Sequence, residues 1–94
     1  MRLMLKFFIP VEKGNQAYED GTMTQAILDL VDQIQLEAAY FMVEDGMRCG
    51  VVFFEETDQA KLPIINEALF RKLGAMITVT PALNLEDLKK GLAG

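Results

Sequence analysis

The chain has 94 residues, 51% of them apolar, and its 9 basic and 14 acidic side chains leave a net charge of −5. That is the profile of one folded domain and not of a disordered chain. A domain of this size buries only about 60–65% of its unfolded surface, too little to be divided into two cores. There is no His, no Trp and a single Cys, so the commonest general base at neutral pH is missing, Ser-His and Cys-His nucleophile pairs cannot be built, and the usual haem ligand is absent.

A zinc site would need its ligands from Cys49 and scattered carboxylates, and no such cluster appears in the spacing. No cofactor and no metal are therefore expected. The acidic balance argues against nucleic acid as a partner, because phosphate binding needs a basic face. Cys49 alone cannot close an internal disulfide, so nothing points to an oxidising compartment. The apolar start of the chain is interrupted by Lys6 and followed by no small-residue cleavage site, which favours a strand over a signal peptide. No apolar stretch approaches the ~18–20 residues of a membrane span. A cytoplasmic protein with no membrane partner is expected.

In chain order, Arg2 to Ile9 alternates as a strand, with Leu3, Leu5, Phe7 and Ile9 on one face and Arg2, Met4, Lys6 and Phe8 on the other. Pro10 ends it. Val11 to Gly21 is polar and punctuated by Gly14 and Gly21, so it reads as a connector with a short helical turn around Asn15 to Glu19. Thr22 and Gln25 match a capping box, and Ile27, Leu30, Val31 and Ile34 follow at helical spacing, placing a helix over Thr22 to Leu36. Ala38 to Glu44 and Met47 to Glu55 read as a hairpin closed by Asp45-Gly46, the preferred pair where both turn residues need positive φ. This turn pairs Val43 with Arg48, Phe41 with Gly50, Met42 with Cys49 and Tyr40 with Val51. Asp58 is placed to cap a second helix carrying Leu62, Ile65, Leu69, Phe70 and Leu73, with Pro63 near its start and Gly74 just past its end. Ala75 to Thr80 is a fourth strand, and Asn84 starts a short last helix.

The order β-α-β-β-α-β predicts an α+β ferredoxin-like domain: an antiparallel sheet in the order 4-1-3-2 with two helices on one face. The face assigned to the helices carries Leu3, Leu5, Phe7, Ile9, Ala39, Phe41, Val43, Val52, Phe54, Ile77 and Val79. The opposite face carries Met4, Lys6, Phe8, Tyr40, Met42, Cys49, Val51, Phe53, Met76 and Thr78, and no helix is left to cover it. Four strands spaced ~4.8 Å apart and ~18 Å long give that face roughly 350 Å², already the size of the largest patches monomers show. Covering it is worth roughly 8–9 kcal/mol per chain as an upper estimate, against an association cost of ~4–15 kcal/mol. The expected partner is a second copy, joined sheet to sheet. Two faces total only about 700 Å², short of the usual ~1,200–2,000 Å², so loops and the segment from Pro81 to Gly94 are expected to add to the contact.

The stretches Ile9-Pro10-Val11-Glu12-Lys13-Gly14-Asn15, Glu37-Ala38-Ala39-Tyr40-Phe41, Glu44-Asp45-Gly46 and Glu86-Asp87-Leu88 give the whole chain a resemblance to the dimeric α/β-barrel proteins, and within them to small bacterial proteins of no assigned role. The resemblance implies two ferredoxin-like subunits that place their free sheet faces together around a central cavity. The wider group includes antibiotic-type monooxygenases, haem-degrading enzymes and muconolactone isomerases. Several of these depend on His or Trp, which this chain lacks, so their activities do not carry over.

The candidate ligand-binding residues follow. Lys6 lies mid-strand on the uncovered face, where it reads either as a cavity cation or low-pKa amine, or as one half of a salt bridge to Glu44, Glu55 or a partner carboxylate. Phe8, Tyr40, Met42 and Phe53 share its face. Cys49, with no His or CxxC partner, reads as an inert apolar residue. Glu12 and Asn15 sit in the first connector, where loops of this fold rim pockets. Arg48 flanks the turn and is expected to pair with Glu44 or Asp45 rather than to bind a ligand. No catalytic residue is assigned. Three functions stand open: a homodimer whose cavity binds a small hydrophobic or anionic molecule, with or without cofactor-free chemistry; a regulatory ligand-binding module with its ligand near Glu12 to Asn15; and a purely structural oligomer.

Overall fold

The computed structural model describes all 94 residues. The elements run β1 (Arg2–Ile9), α1 (Val11–Glu19), α2 (Thr22–Gln33), β2 (Gln35–Glu44), β3 (Met47–Glu55), a 3-10 turn (Gln59–Lys61), α3 (Leu62–Leu73), β4 (Met76–Pro81) and α4 (Leu85–Leu92). The four strands form one antiparallel sheet in the order β2-β3-β1-β4, the predicted order read from its other edge. This is the ferredoxin-like fold.

β1 alternates as its sequence requires: Leu3, Leu5, Phe7 and Ile9 are buried, while Arg2, Met4, Lys6 and Phe8 are half-buried on the other side. Its buried face meets Val52 and Phe54 of β3, Ala26 and Leu30 of α2, and Ile65, Leu69 and Leu73 of α3 in one core. The hairpin is as predicted, with Asp45 at φ 54° and Gly46 at φ 75°, and with Val43 opposite Arg48, Phe41 opposite Gly50, Met42 opposite Cys49 and Tyr40 opposite Val51. A bulge at Glu37 shifts the register near the start of β2. Gly74 ends α3 at φ 59°, and Asn84 opens α4 with a capping box to Asp87. No helix is long and apolar enough to cross a membrane.

Four local expectations are corrected. The polar connector is a full helix, α1: Gly14 and Ala17 form its buried face, and a Cβ on Gly14 would meet Arg48 Nη1 at 2.5 Å and Ile9 Cγ2 at 3.2 Å. Gly14 is there for close packing, not as a breaker. Thr22 does not cap α2; the left-handed Gly21 precedes that helix, and the Thr22 N–H donates to Asp20 Oδ1 at 2.8 Å. The helix stops at Gln33 because Ile34 is already extended, so β2 starts at Gln35. Asp58 caps the 3-10 turn, accepting from the Ala60 N–H at 3.0 Å, and α3 begins after it with Pro63 in its first turn.

The helix layer also stops short of β2. Phe41 and Val43, assigned beneath the helices, are 54% and 77% exposed. α2 is held toward α3 by Lys72 Nζ–Asp29 Oδ2 at 3.5 Å and by the shared core of Leu30, Ile65 and Leu69, and this end of the edge strand is left uncovered. The molecule measures 50 × 28 × 17 Å.

Candidate functional site

The sheet face opposite α2 and α3 is bare. Cross-strand registers set its side chains in rows: Tyr40, Val51, Lys6 and Thr78 in one, Met42, Cys49, Phe8 and Met76 in the next, and Ala38, Phe53, Met4 and Thr80 in a third. Tyr40, Met42 and Met76 are exposed, and Met4, Phe8, Val51 and Phe53 half-exposed.

Lys6 sits at the centre. Its Nζ is 2.9 Å from Glu44 Oε2, reaching across β3, and 5.3 Å from the centroid of the Phe8 ring. The Glu44 carboxylate accepts a charge-assisted hydrogen bond from the Lys6 ammonium and raises the Lys6 pKa, outweighing the partial burial that lowers it. Lys6 is thus a fixed cation here and not a low-pKa amine. Cys49, flanked in register by Phe8 and Met42, is only 3% exposed. Burial pushes the Cys49 thiol up, against the opposing pull of Lys6, so it is a protonated thiol at neutral pH and no nucleophile.

Tyr40 and Phe53 belong to a hollow at the other end of the same face. It holds about 260 Å³ and is rimmed by Arg2, Glu37, Ala82, Leu83 and Asn84. Arg2 forks there: Nε donates to Glu37 Oε2 and Nη1 to Asp87 Oδ2, each at 2.8 Å. The fork raises the Arg2 pKa and ties α4 to the side of the sheet that lacks helices.

The structure therefore brings five of the seven candidate residues to one face, in two groups: Lys6, Phe8 and Met42, then Tyr40 and Phe53. Glu12 and Asn15 are not with them. Both lie on α1 in the helix layer, where Asn15 Oδ1 accepts from Arg48 Nη2 at 3.1 Å. Arg48 makes no ion pair with Glu44 or Asp45, contrary to expectation, because Glu44 points to the other face and is taken by Lys6. The role of Glu44 was readable in its parity with Tyr40 and Met42. The rim of Ala82 to Asn84 carried no signal, since the chain reaches it only after β4.

No protein-family model and no curated protein sequence matches the chain. Among solved structures, it is similar to the de novo designed protein Ferredog-Diesel, with a TM-score of 0.52 and 15% identity over 86% of this chain and 85% of that one. It is also similar to a formyltetrahydrofolate deformylase from Pseudomonas putida KT2440, with a TM-score of 0.55 and 14% identity over 87% of this chain but 29% of that one. A Deinococcus radiodurans protein with the provisional description of an antibiotic biosynthesis monooxygenase aligns with a TM-score of 0.47 and 9% identity, over 89% of this chain and 94% of that one. The first two likenesses establish the ferredoxin-like fold, and at these identities they establish the fold alone.

Proposed function

We propose that the chain acts as a homodimer in which two open sheet faces stack, and that the cavity between them binds a small hydrophobic or anionic molecule. The observation that carries this reading is a sheet face rich in Phe, Met and Tyr, free of any covering helix, with one oriented ammonium, Lys6, at its centre. Apolar walls with few convergent polar groups are the ordinary make-up of a ligand cavity. Leu85, Leu88 and Leu92 of α4 are exposed, and α4 is anchored through Arg2 on the side of that face. They supply the additional contact that two sheet faces of roughly 350 Å² each need to reach the area of a stable interface.

Binding is favoured over catalysis by the two titrating groups at the centre. A Lys6 held as a cation stabilises a carboxylate or enolate without taking its proton, and a protonated Cys49 does not attack one. Light scattering at high micromolar concentration tests the assembly: a dimer is expected, and a monomer overturns the reading. A thermal-shift screen against small acids and aromatics, run on wild type and Lys6→Ala, tests the site. An acid that stabilises the wild type and not the variant supports it; equal shifts in both remove Lys6 from the role.

A further inference from the structure

A second hollow opens on the other side of the sheet, in the space the helix layer leaves beside β2. It holds about 350 Å³, within the ~300–1,000 Å³ usual for small-molecule sites; its wall includes Met23, Ile27, Phe41, Val43 and Arg48, and the strand positions Met42 and Cys49 border it as well. Arg48 is the one charged residue in a lining otherwise entirely apolar.

The state of that guanidinium decides what the hollow takes. The half-buried cations are Arg2, Lys6, Arg48 and Lys72. Arg2 is matched by Glu37 and Asp87, Lys6 by Glu44, and Lys72 by Asp29. Arg48 alone has no carboxylate; its one protein acceptor is the neutral Asn15 Oδ1, bonded to Nη2. Its position is nevertheless enforced: Nη1 lies where a Cβ on residue 14 would stand, so Gly14 makes room for it, and Asn15 on the next position holds it. A partly desolvated cation, oriented by its neighbours and left with free N–H donors, is set up for an anion.

We infer that this hollow is a binding site for a small amphipathic carboxylate, its tail against Met23, Ile27, Phe41 and Val43 and its head group on Arg48. The site is separate from the open sheet face and does not depend on dimerisation there.

Octanoate and its uncharged counterpart octan-1-ol are the probes, followed through the methyl resonances of Met23, Ile27 and Val43. Octanoate is expected to move these methyls, to bind about tenfold more tightly than octan-1-ol and to lose about that factor in Arg48→Gln. Val43 is largely exposed, so Val43→Glu leaves the fold intact and is expected to repel the same anion. Equal octanoate affinity in wild type, Arg48→Gln and Val43→Glu overturns the inference. So does no binding, or movement confined to the methyls of Met4 and Met76, which would place octanoate on the open face instead.

Discussion

Phe7 lies across the bare backbone of Gly50, its register partner on β3: a Cβ at that position would meet Phe7 Cε1 at 2.7 Å and Phe41 Cδ1 at 3.1 Å. The two rings occupy the volume that any side chain would need, and Phe7 is itself fully buried. Gly50→Ala is expected to destabilise the protein by about 1–3 kcal/mol through overpacking. Urea denaturation measures this, and Phe7→Leu in the same chain should return part of the loss. A Gly50→Ala protein as stable as wild type contradicts the packing.

Cys49 offers a chemical test of the central cluster. It is buried, and burial holds its thiol above the ordinary range. A thiol-disulfide reagent at mildly alkaline pH is expected to label it slowly in the folded protein and rapidly in urea. Rapid labelling of the native protein would contradict that burial.

Acid should release α4 before it unfolds the sheet. The Asp87 carboxyl is held below its ordinary pKa first by the Asn84 N–H and then by Arg2. A lowered folded-state pKa contributes stability that is fully present above the unfolded value of about 3.9 and is lost as pH falls through the folded value. Amide resonances of Leu85 to Leu92 are expected to collapse toward random-coil positions as the pH falls below about 3.9, ahead of those of β1 and β3. In Asp87→Asn this pH dependence should disappear.

Asn66 on α3 carries a side-chain oxygen that is buried and has no hydrogen-bond partner. An unsatisfied buried acceptor costs about 1–3 kcal/mol, whereas an apolar group of the same shape costs little. Asn66→Leu is expected to raise stability by about 1 kcal/mol in chemical denaturation. A loss of stability would show that Asn66 finds a partner in solution.

Much of this architecture was legible from alternation and turn chemistry. Leu3, Leu5, Phe7 and Ile9 go inside at period two, Asp45-Gly46 sets the hairpin register, and Gly74 and Asn84 mark helix boundaries. What escaped was decided by packing between distant residues. Gly14 looks like punctuation until Arg48 is seen lying over it. Phe41 and Val43 share parity with Ala39, but parity gives a face and not the width of the helix layer above it. For the candidate site, the open face with Lys6, Phe8, Tyr40, Met42 and Phe53 followed from the same alternation, whereas the segment carrying Glu12 and Asn15 was read as a connector because its polar, glycine-punctuated sequence hides the helix α1.

The fork of Arg2 to Glu37 and Asp87 joins residues 35 and 85 positions from it. Nothing close in sequence can form such a junction: it exists only once β1 and β2 have each found β3. α4 is thus held by a residue of the first strand, and through that same guanidinium it shares a partner with β2. A change at Arg2 therefore reaches both the last helix and the edge strand at once.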